Sequence, residues 1–399
     1  MYEVYCRIYQ FVMKYASRIL PWTKPKLIVG PNSILNLPDE IKNMDLNKVL
    51  IVTDKTIVEL GLLGNLISKL KDKNLEYVVF DNTSQNPTID NIEEAYKIYR
   101  ANNCQGIIGF GGGSPIDCAK GVGAKIARPN MSVSSMRGLF KIRKKIPPFF
   151  AVPTTAGTGS EGTLAAVITD STTHDKYPIN DLNLIPKVAV LDPNLTIGLP
   201  KHITATTGMD ALTHAIEAYI GNSNTKGTIE LSEKATKLIF NYIQIAYDDG
   251  NNLEAREKML VAAHYAGLAF TRAYVGYVHA IAHTLGGFYN VPHGHANAVI
   301  LPYVLDYYGE SIHVKLNELS KLIGIYDEGL TSEENAVKFI KNIKDLNKKL
   351  GIPNKIQGIE KKDITVMVKR ALSEANPLYP VPRILNSYDI RVLYEQIQE

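Results

Sequence analysis

Apolar positions along this chain fall into two patterns. Through residues 47–192, short runs rich in Val, Ile and Phe alternate with stretches whose apolar residues recur every three or four positions. NKVLIVTD (47–54) reads as a buried strand. Residues 55–71 read as a helix with Ile57, Leu60, Leu63, Ile67 and Leu70 on one face. LEYVVF (75–80) is the next strand and 88–102 the next helix. Gly106 to Phe110, PFFAVPT (148–154) and KVAVLD (187–192) supply further strands. Strand and helix in alternation imply βαβ units and a parallel sheet. Such a sheet takes ligands at the carboxyl ends of its strands. From about residue 200 the period is helical throughout: 201–220, 227–247, 253–271, 276–286, 296–309 and 332–349. The expected architecture is an α/β domain with a mostly parallel sheet over residues 1–199, then an all-α domain over 200–399. Residues 1–22 read as a helix packed on the body of the protein through Tyr5, Ile8, Phe11, Val12 and Tyr15. Glu3, Arg7, Lys14 and Arg18 interrupt that stretch too often for a signal sequence.

Composition narrows the function. The 399 residues are 45% hydrophobic and 21% charged, which fits a folded chain with a sizeable core. No apolar run reaches the roughly 18 residues that span a bilayer. Net charge is +4, which gives no reason to expect nucleic acid or a membrane surface as partner. The three cysteines, Cys6, Cys104 and Cys118, are scattered. That excludes a disulfide framework and a Cys-rich zinc module, and fits a reducing, cytoplasmic setting.

Two loops carry candidate chemistry in the first half. GFGGGSPIDCAK (109–120) leaves a strand and opens a helix. Ser114 reads as the N-cap, with Pro115 at the first helical position and Asp117 at the third. The three glycines, Gly111, Gly112 and Gly113, let the backbone approach a ligand and leave amides open. With the helix dipole, those amides make a pyrophosphate site. PTTAGTGSE (153–161) follows another strand and suits contacts to a ribose or phosphate. Asp54 closes the first strand. Its carboxylate can accept hydrogen bonds from a ribose and repel a 2′-phosphate, or it can cap the next helix.

The second half carries a histidine cluster. Six of nine histidines fall between 214 and 295: His214, His264, His279, His283, His293 and His295. Asp210 and His214 share a helix face at i and i+4, and His279 and His283 repeat that spacing. His293 and His295 follow in a PHGH turn. His264, in VAAHYAG, reads as packing. Asp and His from several helices make a divalent-metal site in a bundle core. Imidazoles with one carboxylate suit Fe2+ or Zn2+ better than Mg2+ or Ca2+. Spacing leaves open which of His279, His283, His293 and His295 are ligands.

GGGSPIDCAK, PTTAGTGSE, GMDALTHAIEAY and VHAIAHTLGGFYNVPHGHANAVILP resemble the signatures of the iron-containing, group III alcohol dehydrogenase family. The resemblance runs from about residue 22 to the C-terminus. It implies an N-terminal dinucleotide-binding domain and a helical metal domain, arranged as in dehydroquinate synthase-like folds. It places the metal ligands on Asp210, His214, His279 and His293. His283 falls on a family histidine near the substrate, where we expect it to relay a proton. The cofactor positions fall on Asp54, Asn86, Gly112, Gly113, Ser114, Thr154, Thr155, Thr158 and Lys176. VTDKT (52–56) resembles members that use NAD rather than NADP.

The implied enzyme moves hydride between NAD and a primary alcohol or small diol, as a homodimer or higher homo-oligomer. A zinc polyol dehydrogenase of the glycerol type is the first alternative. Three protein ligands favour it, and four favour iron. A lyase like dehydroquinate synthase is more remote. It needs basic residues for a phosphorylated substrate and a glutamate among its ligands, and neither stands out.

Overall fold

The computed structural model describes residues 1–172 and 175–399. Helix α1 is Tyr2–Arg18. Strand β1 (Lys26–Val29) and α2 (Leu37–Lys42) lead into β2 (Lys48–Val52), α3 (Lys55–Glu59) and α4 (Gly64–Asp72). Then come β3 (Glu76–Phe80), α5 (Ile89–Ala101), β4 (Gly106–Gly111) and α6 (Gly113–Ala127). Five strands follow: β5 (Gly138–Leu139), β6 (Phe149–Pro153), β7 (Ala165–Thr169), β8 (Lys176–Asn180) and β9 (Val188–Leu191). The remaining elements are helices: α7 (Lys201–Ile220), α8 (Lys226–Asp248), α9 (Leu253–Ala273), α10 (Tyr277–Tyr289), α11 (His293–Tyr308), α12 (His313–Leu322), α13 (Ser332–Lys349), α14 (Lys361–Ala375) and α15 (Ser387–Ile397).

Packing divides the chain into two compact units. One is α/β: residues 21–199 with 251–264. The other is helical: residues 1–20, 200–250 and 265–399. In the α/β unit a six-stranded sheet runs β1-β9-β6-β4-β2-β3, with every pair parallel. Both faces are covered, so alternate residues of one strand enter different cores. Leu50 and Val52 face the layer of α5 and α6, while Val49 and Ile51 face that of α2 and α4. This is why β2 and β4 read as unbroken apolar runs. The chain leaves β2 toward β3 on one side and leaves β4 toward β6 on the other. The ends of β2 and β4 therefore flank the switch point of the sheet, where such folds bind ligands.

Strand β1 is not read from the sequence, and three larger features depart from that reading. A small second sheet, β5-β8-β7, has no counterpart in it. The helix read over 55–71 is two, α3 and α4, with Gly61 at φ +68 in the break. The third departure is α1. It forms, but its apolar stripe faces solvent: Tyr5, Ile8, Phe11, Val12 and Tyr15 are all exposed. The helix is held by its polar side instead. Arg7 donates to the carbonyls of Val381 and Pro382, and Gln10 to that of Tyr379. So α1 groups with the helical unit, not with residues 21–199 as the sequence reading had it.

Candidate metal centre and glycine loops

Helix α7 is buried on almost every side from Gly208 to Ile220. It cannot rotate without exposing apolar surface, so Asp210, His214 and Glu217 are fixed in direction. Asp210 and His214 lie one turn apart, and Glu217 follows three residues on. Helix α10 brings His279 and α11 brings His293. One ligand-type atom from each of Asp210, His214, His279 and His293 lies within 4.8 Å of the others. The close approach of α11 depends on Gly294. A Cβ there would stand 2.5 Å from the Thr206 carbonyl oxygen of α7.

The hydrogen bonds around this cluster orient it. Glu217 accepts from His279 Nδ1 at 2.6 Å and from the backbone amides of Gly276 and Val278 at 2.8 Å each. One carboxylate thus serves the open amides at the start of α10 and fixes the tautomer of His279. Proton on Nδ1 leaves the Nε2 lone pair for the cluster. Burial holds His279 neutral, its pKa pulled down to about 3, with the charge of His283 adding to the effect. A neutral imidazole is what a metal needs. His214 stacks on Phe270, ring centres 4.2 Å apart.

Asn297, fully buried on α11, reaches into the centre of the set. Its amide nitrogen is 2.6 Å from Asp210 Oδ1, 3.2 Å from His279 Nε2 and 3.1 Å from His293 Nε2. Its Oδ1 is buried and has no hydrogen-bond partner among the described residues. Three lone pairs converging on one amide, in a buried acidic and imidazole-rich pocket, fit a divalent cation.

His283 stands beside this set. Its ring stacks on that of His293 at 5.1 Å, and its Nδ1 bonds Glu374 at 2.7 Å. Glu374 also accepts from Tyr379. His264 is elsewhere: it is buried in the α/β unit with its Nδ1 3.2 Å from Glu161. His295 lies on the first turn of α11, where burial lowers its pKa.

The glycine loop departs from the sequence reading at Ser114. Helix α6 begins at Gly113 with Gly112 as its cap, so Ser114 lies inside the first turn. Its hydroxyl donates to the Gln85 carbonyl. The first turn of α6 therefore has no side-chain cap, and its amides stay open. Gly111 has φ +145, and a Cβ on it would sit 2.6 Å from Pro115 Cγ. Gly113 packs on Thr158, and Thr155 lies beside Gly112. The Thr154 amide donates to the Gly111 carbonyl at 2.9 Å, which ties the two loops together. Lys176 donates to Asn86 at 3.1 Å. Asp54 caps α3 through the Ile57 amide.

A buried lysine that the sequence reading did not use locks this cradle. Lys120 Nζ donates to the carbonyls of Ser160, Thr163 and Ala165 and to the hydroxyls of Ser160 and Thr163. Asp117 accepts from Ser160 Oγ and the Val167 amide rather than capping α6. Glu217, Asn297 and Lys120 all sit inside the sequence motifs. Apart from His293, four residues before Asn297, their partners are distant along the chain, so spacing alone carried little signal for them.

A parallel sheet with open amides at its switch point, in a chain that also carries a cluster of one aspartate and three histidines on buried helices, defines a class of two-part, metal-site oxidoreductases. The comparisons agree. The iron-containing alcohol dehydrogenase family model matches residues 24–193, and that of the Fe-containing alcohol dehydrogenase family, C-terminal, matches 204–398. The 1,3-propanediol dehydrogenase of Citrobacter freundii is 37% identical over 371 residues, 92% of this chain and 95% of its own. The lactaldehyde reductase of Escherichia coli K12 is 35% identical over 348 residues, 86% and 91%. The crystal structure of a 1,3-propanediol oxidoreductase superposes with a TM-score of 0.91 at 36% identity, covering 95% of this chain and all of that one. The sulfoacetaldehyde reductase of Bifidobacterium kashiwanohense, solved with NAD+, gives 0.84 at 29% identity, covering 95% and 98%. The chain belongs to the iron-containing alcohol dehydrogenase family. It is an oxidoreductase of the alcohol dehydrogenase type.

Proposed function

We propose that this protein is an NAD-dependent, iron-loaded dehydrogenase that interconverts a primary alcohol or small diol and its aldehyde. The observation that carries the proposal is the convergence of Asp210, His214, His279 and His293 on one buried point. Four donors favour iron over the three-ligand zinc polyol enzymes. The 1,3-propanediol and lactaldehyde activities of the relatives support a short, hydroxylated substrate.

When bound, the metal supplies Lewis-acid polarisation of the substrate oxygen and the nicotinamide accepts or gives hydride. The chain supplies the rest. Asp210, His214, His279 and His293 hold the ion, and Glu217 keeps His279 in the ligating tautomer. The open amides after Gly112, with Ser114, Thr154, Thr155 and Thr158, hold the pyrophosphate and ribose. Asn86 and Lys176 sit beside them. Asp54 favours NAD by repelling a 2′-phosphate. His283 takes the alcohol proton at Nε2, because Glu374 holds its Nδ1–H and stabilises the imidazolium. We place the enzyme in the cytoplasm as a homodimer or higher homo-oligomer. Among the described residues no helix is long and apolar enough to cross a membrane.

The test is metal depletion, then reconstitution with Fe2+ or Zn2+ without oxygen, and a panel of alcohols and aldehydes read by NADH absorbance. Turnover of short primary alcohols or diols with Fe2+ and NAD is expected. Equal turnover without metal, or none across the panel, overturns the proposal.

A further inference from the structure

Helix α1 is an amphipathic helix attached by its polar side. Cys6 is fully buried, and Arg7, Gln10 and Lys14 reach carbonyls of the helical unit at 2.7–2.8 Å. The opposite side carries Val4, Ile8, Phe11 and Tyr15, exposed by 61, 60, 61 and 48%, with Tyr5 and Val12 flanking them. No packing gain within the chain explains such a stripe. All six side chains stand between 48 and 61% exposed along one face, a contiguous apolar patch of the kind that marks an interaction site. The family match begins at residue 24, so α1 lies outside the part of the chain that the family model describes.

We infer that α1 is a self-association surface: two copies of this chain pair their α1 helices antiparallel across a two-fold axis. The spacing of the stripe identifies the occupant. Val4, Ile8, Phe11 and Tyr15 are four, three and four residues apart, the alternation of a coiled-coil seam. The series reads the same from either end. A two-fold axis midway along it sets Val4 against Tyr15 and Ile8 against Phe11, small against large in each pair. A surface that complements itself under a two-fold is what an isologous dimer requires. The charges agree with that direction. Glu3 and Arg18 stand exposed at opposite ends of the helix, so antiparallel pairing brings each within about one turn of its opposite on the partner. The hydrogen bonds through Arg7, Gln10 and Lys14 fix the rotation of α1, so the stripe is presented rather than folded under.

The experiment uses the full chain and measures mass in solution by analytical ultracentrifugation over a concentration series. I8K/F11K, which leaves the hydrogen bonds of Arg7, Gln10 and Lys14 to the body in place, should halve the assembly mass at low micromolar concentration with alcohol dehydrogenase turnover unchanged. A second variant, I8C/F11C, keeps the helix uncharged and should form disulfide-linked dimers on mild oxidation, while I8C alone should not, because the two-fold sets position 8 against 11. Three results would overturn the inference. The first is an unchanged mass in I8K/F11K. The second is linkage through I8C alone, which marks a parallel pair. The third is flotation of the wild type, but not of I8K/F11K, with phosphatidylcholine–phosphatidylglycerol vesicles, which marks a membrane surface as the occupant.

Discussion

Gly294→Ala tests whether the metal centre depends on how closely α11 approaches α7. The Cβ of the new alanine would lie 2.5 Å from the Thr206 carbonyl oxygen and 3.0 Å from its carbon. Both are backbone atoms of α7, fixed by the helix itself, so neither can swing aside as a side chain can. Restoring an ordinary contact of 3.4 Å needs an opening of roughly 0.9 Å. His293, the next residue, moves with it. Metal–ligand distances tolerate about 0.2 Å, so the shift removes His293 from a shared ion. Loss of an orienting contact alone costs 10–100-fold in affinity, and displacing a ligand should cost about 10²-fold or more. Overpacking should also lower the stability of the metal-free protein by about 1–3 kcal/mol. Gly287→Ala is the control, because nothing lies within 4 Å of a Cβ there and alanine favours the helix. Metal content after dialysis against a graded chelator, with calorimetry of the metal-free forms, measures both effects. If Gly294→Ala retains metal as well as Gly287→Ala, the spacing of α7 and α11 does not set the site and the argument fails.

Glu217→Ala should leave two buried amides of α10 without acceptors, at about 1–3 kcal/mol each, and free the His279 ring; a Tm equal to that of wild type would contradict this. Asp54→Ser keeps a cap for α3 while removing the charge, and should narrow the NAD-to-NADP gap in kcat/KM by about tenfold, ~1.4 kcal/mol; an unchanged ratio would make Asp54 a cap and nothing more. His283→Ala should retain metal and NAD yet lose ~10²-fold in alcohol oxidation, less at high pH; metal loss would instead make His283 a ligand. Burial raises Tyr99 and Tyr274 to about 12, above the 10 of an open phenol. Between pH 10 and 12 the unfolded chain releases these protons and the folded one keeps them. Stability should therefore fall with rising pH there, by up to ~1.4 kcal/mol per unit for each. Phenolate absorbance rising well before the loss of helix would refute it.

What the sequence made legible followed from how each element is buried. The central strands β2, β4, β6 and β9 are covered on both faces, so each is an apolar run that no surface element imitates. β1 escaped because Lys26–Val29 is four residues with exposed ends, and β5 because it is two. The α3–α4 break was hidden because the apolar period continues through Gly61. In α1 the periodicity was real but could not say which side is covered, since hydrogen bonds from Arg7 and Gln10 decide it. The cluster of Asp210, His214, His279 and His293 was legible as a density of histidines, because imidazoles rarely gather in an apolar bundle for packing alone. The groups that orient it were not. Glu217 meets His279 at a separation of 62 residues and Asn297 meets Asp210 at 87, distances that only the folded helices bring together.

Helix α7 also limits how this protein can change in length. Asp210, His214 and Glu217 share one rigid turn sequence, and each points correctly only relative to the others. One inserted residue between Asp210 and Glu217 would swing everything beyond it through about 100°. Asp210, His214 and the carboxylate that orients His279 would then no longer face the same point. A point substitution here perturbs one contact, but a single insertion or deletion redirects every side chain beyond it. A change of length that keeps this site intact has to fall outside the Asp210–Glu217 segment.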